Sequence, residues 1–148
     1  MKNYKRILVT GGTGMVGNAL QRVLPDGIFI SSKECDLRDA RYTRKMMEAY
    51  KPNAVIHLAA KVGGIKANMD NLGDFYRENI LINTNVLESA HINNVKKVVS
   101  LLSTCIYPNE VTYPLTEDQI HNGPPHRSNY AYAYAKRMLD IQSQAYRD

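Results

Sequence analysis

Short apolar runs alternate along the chain with longer segments in which apolar residues recur every three or four positions. The runs have the length of strands, and they lie at 6–10, 28–31, 54–60 and 97–103. The segments with helical spacing lie at 15–24, 39–50, 72–91 and 130–146. Asp39 is the predicted N-cap of the second helix, and a loop rich in Pro, Asn and His precedes the last one. This alternation predicts an α/β fold, a Rossmann-like doubly wound parallel sheet covered by helices on both faces.

The length and composition are those of a globular domain. The chain has 148 residues, of which 44% are apolar and 22% charged, and this suffices for one domain with a hydrophobic core. No apolar stretch approaches the roughly 20 residues of a membrane span, and the N-terminus lacks the pattern of a signal peptide. Cys35 and Cys105 form no metal-binding motif and suit free thiols in a reducing compartment. We therefore expect a single cytoplasmic domain, 1–148, with neither membrane contact nor metal.

The positive charge of the chain is moderate and dispersed. The formal net charge is +5, and the basic residues are scattered without a long basic block. Proteins that bind nucleic acid usually concentrate such residues on one patch or stripe. An anionic small ligand explains the same excess, so we expect no nucleic-acid partner.

Glycines follow the first predicted strand and open the first predicted helix. Gly11, Gly14 and Gly17 form a G-x-x-G-x-x-G pattern in the stretch VTGGTGMVG. In this βα context the first glycine permits a tight turn, the second lets the backbone approach a pyrophosphate, and the third lets helix and strand pack closely. Free N–H groups at the helix start would attract the anion. The stretch therefore predicts a dinucleotide site, although a glycine-rich turn that binds no ligand could have the same sequence.

The end of the second predicted strand bears on the choice of dinucleotide. NAD-binding units usually carry an acid there for the ribose hydroxyls. This chain has Ser31, Ser32 and Lys33 at that place, and an ammonium with hydroxyls suits the 2′-phosphate of NADP(H) better. Asp36 and Leu37 are candidates for contact with the adenine, but Asp36 could equally cap or fold a turn.

A tyrosine and a lysine share one face of the last predicted helix. Tyr132 and Lys136 are four residues apart in YAYAK, whereas Tyr130 and Tyr134 have no lysine at that spacing. A neighbouring ammonium favours the phenolate, so we expect a lowered pKa for Tyr132 and a usable proton donor for a carbonyl that receives hydride. Taken alone, such a pair is more often a structural surface feature.

Three polar residues end the fourth apolar run. Ser103, Thr104 and Cys105 follow LL in the stretch LLSTCIYP, at the carboxyl end of a predicted strand, where ligands bind in open α/β sheets. The serine hydroxyl can hydrogen-bond a reacting carbonyl. The thiol can exchange a proton with a carbon next to that carbonyl, although most free cysteines are small buried hydrophobes.

With these motifs the chain resembles the GDP-L-fucose synthases, extended short-chain dehydrogenases/reductases that act as GDP-4-keto-6-deoxy-D-mannose 3,5-epimerase-4-reductases. The resemblance rests on VTGGTGMVG, VIHLAAKVGGI, LLSTCIYP and IHNGPPHRSNYAYAYAKRM, and on the spacings between them. The glycine loop and the Tyr–Lys pair specify only the superfamily. LSTCIYP and NGPPHRSN are narrower, and they separate this chain from sugar-nucleotide 4-epimerases and 4,6-dehydratases.

The resemblance implies a role for each catalytic residue. Cys105 would be the base and acid for epimerisation at C3 and C5 of the keto-sugar. Ser103 would orient the 4-keto oxygen, and Tyr132 would protonate it as NADPH delivers hydride to C4. Lys136 would hold the nicotinamide ribose and tune Tyr132. The cofactor-binding residues expected from the motifs and the resemblance together are Gly11, Gly12, Thr13, Gly14, Met15, Val16, Gly17, Lys33, Asp36, Leu37, Leu58, Ala59, Ala60, Lys61, Tyr132 and Lys136.

The resemblance covers only the N-terminal half of the family. Members continue beyond the Tyr–Lys helix with further strands, a histidine that partners the cysteine and most of the lobe that binds the GDP-sugar, so the expected fold is C-terminally truncated. His57 is expected to be a hydrogen-bonded core residue, and His121 and His126 to be exposed. The family also implies a homodimer, formed through the helices at 72–91 and 130–146.

Two other functions remain open on the sequence. A dinucleotide-binding module without catalysis would keep the glycine loop and would need neither Cys105 nor Tyr132. Another short-chain reductase or sugar-nucleotide epimerase would use Tyr132 and Lys136, but it would have no need of the thiol.

Overall fold

The computed structural model describes residues 4–148, which form two compact units. The first unit contains the chain up to Ala60 together with Leu81–Leu101. The second contains Lys61–Ile80 and Leu102–Asp148.

Four strands and five helices follow one another along the described chain. The strands are β1 (Ile7–Thr10), β2 (Ile28–Ile30), β3 (Ala54–His57) and β4 (Lys97–Ser100). The helices are α1 (Met15–Gln21), α2 (Ala40–Tyr50), α3 (Ile65–Asp70), α4 (Leu72–Ile92) and α5 (Tyr130–Arg147). Two short 3₁₀ turns, Thr104–Ile106 and Glu117–Gln119, lie between β4 and α5.

The strands form one parallel sheet in the first unit, in the order β2-β1-β3-β4. Leu8 of β1 pairs with Ile28 on one side and with Val55 on the other, and Val55 in turn pairs with Val98. The neighbours β1 and β2, like β3 and β4, are parallel, so a helical crossover is required between them. The predicted parallel α/β sheet is therefore confirmed.

Two apolar clusters lie on opposite faces of this sheet. The first joins strand residues to α2 and α4 and includes Leu8, Ile30, Val55, Met46, Met47, Val86 and Ala90. The second joins Ile7, Val9, Ala54 and Ile56 to partly buried residues that include Leu20 of α1 and Leu24. Because successive strand residues point to opposite faces, Leu8 belongs to the first cluster and Val9 to the second. The coverage of both faces confirms the doubly wound prediction.

The start of α2 has the predicted cap. The Asp39 carboxylate accepts hydrogen bonds from the backbone N–H groups of Arg41 and Tyr42, at 2.8 and 3.2 Å. These N–H groups have no partner within the helix, so the cap satisfies them. These bonds also hold the pKa of Asp39 below its ordinary value, the bond from Tyr42 being the largest cause.

Two strands are shorter than the apolar runs predicted. β3 ends at His57 rather than at residue 60, and β4 ends at Ser100 rather than at residue 103. β1 ends at Thr10, which pairs with His57, and His57 pairs with Ser100. Beyond this row the ladder has no further partner strand. Ser103 and Cys105 therefore lie in the 3₁₀ turn after the strand and not at its last residues.

The helices also differ from the prediction in two places. α1 ends at Gln21, where the next residues form a tight turn, and α3 was not predicted. α3 has only six residues, which is too short for a periodic apolar pattern to identify. Within residues 4–148, none of the helices combines the length and the apolar character that crossing a bilayer requires.

Candidate active site

The first and third glycines of the G-x-x-G-x-x-G pattern, in the first unit, have no room for a side chain. Gly11 has a φ of +71°, and a Cβ there would lie 2.8 Å from the backbone nitrogen of Ala59. A Cβ on Gly17 would lie 2.5 Å from the carbonyl oxygen of Gly11. The first glycine thus permits the turn, and the third permits the approach of α1 to the loop, as the sequence predicted.

Hydrogen bonds to Gly12 fix the backbone of this loop, and the residue at the start of α1 is exposed to solvent. The Gly12 N–H donates to the Ile30 carbonyl at 2.9 Å, and Gln21 Nε2 donates to the Gly12 carbonyl at 3.0 Å. Met15, at the first position of α1, is 88% exposed. The preceding residue, Gly14, is the N-cap and offers no side chain to the N–H groups of the first turn. This cradle fits a pyrophosphate, which would be bound by backbone N–H groups.

A buried polar network joins the start of the loop to β3 and α4. Thr10 Oγ1 lies 2.7 Å from Nδ1 of His57, and Nε2 of the same ring lies 3.2 Å from Asn83 Oδ1. Thr10 Oγ1 also accepts from the Ala59 N–H at 3.4 Å. One proton arrangement is consistent with these contacts: Nε2 carries the ring proton and donates to Asn83, and Thr10 donates to Nδ1. His57 is therefore the hydrogen-bonded core residue that was predicted.

The end of β2 carries an acid that the sequence pattern did not indicate. The Glu34 carboxylate accepts hydrogen bonds from the backbone N–H and the hydroxyl of Ser31, both at 2.8 Å. These bonds lower the pKa of Glu34. Glu34 lies four residues beyond the end of β2, and the turn brings its carboxylate back to Ser31. Lys33 is exposed in the same turn.

Of the two residues suggested for adenine contact, one folds a turn and the other is buried. The Asp36 carboxylate accepts from the backbone N–H of Arg38 at 3.0 Å and pairs with its guanidinium at 2.8 Å. These hydrogen bonds hold the pKa of Asp36 below its ordinary value. Leu37 lies in the core, and its carbonyl accepts from Asn85 Nδ2 at 2.9 Å. The sequence left open whether Asp36 contacts adenine or folds a turn, and the structure shows Asp36 folding a turn.

In the second unit, the side chain of Asn79 fixes the backbone of Lys61. Asn79 Oδ1 accepts from the Lys61 N–H at 2.9 Å, and its Nδ2 donates to the carbonyls of Lys61 at 2.9 Å and Phe75 at 2.7 Å. The Lys61 ammonium lies 2.6 Å from Glu78. Sequence reasoning missed Asn79, and its one signal was an asparagine on the apolar face of α4.

The proposed catalytic residues also lie in the second unit. Ser103 begins the 3₁₀ turn Thr104–Ile106, and its hydroxyl accepts from the Cys105 N–H at 3.3 Å. A hydrogen bond joins the Ser103 side chain to Tyr132 of α5, and the Cys105 thiol is near enough to shift the pKa of that phenol. The structure therefore brings Ser103, Cys105 and Tyr132 together, and Lys136 follows Tyr132 by one turn of α5.

The pKa values of Tyr132 and Lys136 differ from what the pair suggested. Burial raises the pKa of Tyr132, the Cys105 charge raises it further, and the hydrogen bond to Ser103 opposes both. Burial lowers the pKa of Lys136 to about 8. The prediction of a lowered pKa for Tyr132 is wrong for this structure, because burial and the Cys105 charge disfavour the phenolate more than the hydrogen bond to Ser103 favours it. The phenol consequently keeps its proton at neutral pH.

A cavity of about 280 Å³ lies beside Cys105. Tyr113, His126 and Asn129 are among its other lining residues. His126 is exposed, as predicted, and its Nδ1 lies 2.8 Å from the Ser128 hydroxyl. His121, also exposed, lies 3.0 Å from the Asp140 carboxylate. The cavity gives a small polar ligand access to the thiol.

A second, more apolar groove of about 550 Å³ lies along α5. Tyr76 of α4 and Tyr130, Tyr134, Met138 and Ile141 of α5 line it, and each of these side chains is exposed. The four residues of α5 recur every three or four positions and form one stripe of the helix.

The fold, the glycine loop and the Ser–Cys–Tyr–Lys set match those of the nucleotide-dependent short-chain reductases. The family model described as "NAD dependent epimerase/dehydratase family" matches residues 7–148. The chain therefore belongs to this family.

Several of the similar proteins are named as GDP-L-fucose synthases or synthetases. The probable GDP-L-fucose synthase of Drosophila melanogaster is 51% identical and is matched over 97% of this chain and 47% of its own length. For the GDP-L-fucose synthase of Dictyostelium discoideum the identity is 48%, with the same coverage. The crystal structure of a GDP-L-fucose synthetase from Naegleria fowleri bound to NADP is 46% identical, with a TM-score of 0.88 over 97% of this chain and 48% of that one. The chain thus spans about half the length of the curated relatives it matches.

Proposed function

We propose that this chain carries the NADP(H)-binding and catalytic residues of an epimerase-reductase that converts GDP-4-keto-6-deoxy-D-mannose to GDP-L-fucose. One observation carries the proposal: Ser103 and Cys105 share a short turn, and the same serine is hydrogen-bonded to Tyr132. Reduction alone needs the serine and the tyrosine. A thiol in the same cluster suits the two epimerisations. The names of the similar proteins support the same substrate.

Cys105 would exchange protons at the carbons next to the ketone. The hydrogens on C3 and C5 are acidic because the C4 carbonyl stabilises the resulting carbanion as an enolate. Cys105 as thiolate would take such a proton from one face. An acid on the opposite face, the role that the resemblance gives to a histidine in the C-terminal half of the family, would return a proton there and invert the centre. The cavity beside Cys105 has room for part of a sugar ring.

Ser103 and Tyr132 would act on the carbonyl oxygen. Bound NADPH would supply hydride to C4, while the Tyr132 phenol gives its proton to the oxygen, so that C=O becomes CH–OH. The raised pKa of Tyr132 suits this role because the acid is already protonated at neutral pH. Lys136, with a pKa of about 8, still carries a charge at pH 7 and would hold a ribose hydroxyl.

The cofactor would be NADP(H), held by the glycine loop and by Lys33. The crowded glycines leave backbone N–H groups as the phosphate ligands, and exposed Lys33 offers an ammonium to a 2′-phosphate. Glu34, whose carboxylate is hydrogen-bonded to Ser31, would otherwise favour the free hydroxyls of NAD. The NADP-bound relative supports the first alternative.

The test is a titration of the 148-residue chain with NADPH and with NADH, followed by cofactor fluorescence. GDP-4-keto-6-deoxymannose is then added and oxidation of NADPH is monitored. We expect saturable binding of NADPH that is tighter than binding of NADH. Oxidation on addition of the sugar would mean that the 148-residue chain is active by itself. Binding without oxidation would mean a cofactor-binding half that awaits its substrate lobe, or a cofactor-binding module without catalysis. Absence of binding to either nucleotide would refute the proposal.

Two matched tyrosine variants separate chemistry from binding. Tyr132→Phe should bind NADPH like the parent chain. In a protein that also carries the C-terminal half of the family, the same change should remove most of the NADPH oxidation that the keto-sugar causes. Tyr146→Phe, which changes an exposed tyrosine near the end of the same helix, should keep both properties. Retained turnover in Tyr132→Phe would exclude the proposed proton transfer.

The apolar stripe on α5 supports the expected homodimer. Tyr134, Met138 and Ile141 are exposed along the groove, and an apolar stripe of this kind is typical of an interface between identical copies. Sedimentation velocity should give a dimer for the parent chain and a monomer for Ile141→Glu. Ser143→Glu, an exposed position off the stripe, should remain dimeric. A monomeric parent chain would exclude this interface.

The proposed compartment is the cytoplasm. Both cysteines are free thiols, Cys35 buried and Cys105 partly accessible, and the proposed chemistry needs Cys105 reduced. A reducing compartment meets that need.

A further inference from the structure

A buried arginine ties the Cys105 turn to α5. The Nε of Arg137 donates to the carbonyl of Ile106 at 2.6 Å, across 31 residues of sequence. Arg137 is only 5% exposed, and Ile106, the last residue of the turn, is 2% exposed. The bond is short and shielded from water, and its donor is charged, so it is stronger than most backbone contacts.

Filling space does not account for this arginine. One of its terminal nitrogens, Nη2, is buried and has no hydrogen-bond partner within residues 4–148. The ring of Tyr134, 5.2 Å from the guanidinium carbon, compensates only part of the lost hydration. A methionine or leucine would fill the same volume without that cost. The hydrogen bond to the Ile106 carbonyl is the contact that explains a guanidinium at this position.

Apart from Arg137, the hydrogen bond between the Ser103 side chain and Tyr132 joins the turn to α5, at the other end of the turn. At its start, Ser103 accepts from the Cys105 N–H with its hydroxyl and from the Ile106 N–H with its carbonyl, at 3.3 and 3.1 Å. Both of these bonds lie within the turn itself and cannot orient it. Arg137 supplies a bond from the turn to α5, one residue after Lys136 and five after Tyr132.

We propose that Arg137 is a positioning residue that sets the place of the Cys105 thiol relative to Tyr132 and Lys136. This inference rests on the proposed function, since it assigns the arginine to the same site. Tyr132 and Lys136 stand on one face of α5, and Arg137 uses the adjoining face to hold the turn that bears Ser103 and Cys105. One helix thereby orients the proton-exchanging thiol and the proton-donating phenol together.

The reactivity of Cys105 tests this without substrate or cofactor. In a Cys35→Ser background, alkylation by iodoacetamide reports Cys105 alone. We compare the rate across pH for the parent, for Arg137→Met and for Arg137→Lys. Without its bond the turn opens more often, so Arg137→Met should be alkylated about tenfold faster across the pH range. Arg137→Lys, whose shorter side chain weakens the bond to the Ile106 carbonyl without removing the donor, should show a smaller increase in the alkylation rate.

The control for removal of a guanidinium is Arg147→Met. Arg147 lies on the same helix and is exposed. Its replacement should leave the alkylation rate of Cys105 unchanged. Equal alkylation rates in Arg137→Met and Arg147→Met would overturn the proposal.

Hydrogen exchange separates a local effect from general loosening, and it decides the case even if Arg137→Met does not fold. In Arg137→Lys, the amides of Cys105, Ile106 and Tyr107 should exchange faster than in Arg147→Lys, while the amides of β1 and β3 remain as protected as in the parent. Faster exchange throughout the sheet would show a merely structural role and would overturn the proposal. Unchanged exchange at the turn would overturn it as well.

These measurements do not depend on turnover. A chain that fails to oxidise NADPH can still show the Arg137 effect, and an active chain can lack it. Failure of the positioning role is therefore distinguishable from failure of the proposed function.

Discussion

The Oγ1 atom of Thr10 lies 2.7 Å from Nδ1 of His57, and both side chains are fully buried. Thr10 is the last residue of β1 before the glycine loop, and His57 is the last residue of β3. Through Nε2 the same ring reaches Asn83 of α4. The residue that leads into the proposed pyrophosphate loop is thus held by a polar network in the core.

Removal of the Thr10 hydroxyl should destabilise the protein. Thr10→Val keeps the volume but leaves Nδ1 of His57 and the Ala59 N–H without this partner. We expect a loss of roughly 1–3 kcal/mol in the free energy of unfolding, measured by urea denaturation. Thr43→Val is a matched control at another buried threonine, whose hydroxyl bonds only backbone carbonyls. A Thr10→Val protein as stable as the parent would contradict the network.

The crowding at Gly17 gives a second prediction. Gly17→Ala would press a methyl group against the carbonyls of Gly11 and Gly12, so the loop must move away from its cradle geometry. We expect NADPH binding to weaken about tenfold or more, with a stability loss of roughly 1–3 kcal/mol. The measurements are a fluorescence titration and urea denaturation.

The matched control for Gly17 is Gly64→Ala. A Cβ at Gly64 would meet nothing within 4 Å, so binding and stability should be nearly unchanged. Equal NADPH affinity in the two variants would show that the close approach of the loop to α1 is not required for NADPH binding.

Sequence pattern predicted what depends on local chemistry. The glycine loop, the Asp39 cap and the order of strands and helices follow from short-range rules of turn, cap and periodicity. The ends of β3 and β4 do not follow from such rules. An apolar run continues past His57 and Ser100, but the ladder stops where its neighbouring strands stop. That limit is set by partners distant in sequence.

The same distinction applies to the candidate site. The spacing of Tyr132 and Lys136 is local, so the sequence predicted that they share a helix face. The direction in which the pKa of Tyr132 shifts depends on burial and on Cys105, which lies 27 positions away in sequence. Asn79 and Arg137 were missed for a related reason. Each forms a hydrogen bond to a backbone atom of a distant segment, and the sequence does not indicate which distant backbone atom a side chain will contact.

Lys33 should favour the phosphorylated cofactor. The residue is exposed beside the end of β2, so its ammonium can reach a 2′-phosphate without a burial cost. Lys33→Ala should weaken NADPH binding about tenfold at low salt, by loss of one charge-assisted hydrogen bond. Affinity for NADH should not change. Lys45→Ala, an exposed lysine of α2, should leave both affinities as they are. An equal loss of affinity for NADPH and NADH in Lys33→Ala would show that Lys33 does not bind the 2′-phosphate.

Lys136 should lower the stability of the fold in a pH-dependent way. Its side chain is 2% exposed, and burial brings its pKa from 10.5 in the unfolded chain to about 8 in the folded protein. Between these values the unfolded chain binds more protons than the folded one, so the free energy of unfolding rises with pH. Below about pH 8 the folded protein bears the whole cost of the buried charge, roughly 3 kcal/mol for this shift.

Lys136→Met removes the titrating group, so the free energy of unfolding of the parent chain should rise relative to that of the variant once the pH exceeds about 8. This relative change should develop between about pH 8 and pH 9.5. Lys136→Arg, which stays charged over this range, should show no such change relative to Lys136→Met. Urea denaturation at pH 7, 8, 9 and 9.5 measures the three proteins. A parent chain and a methionine variant that differ by the same amount at every pH would refute the shifted pKa.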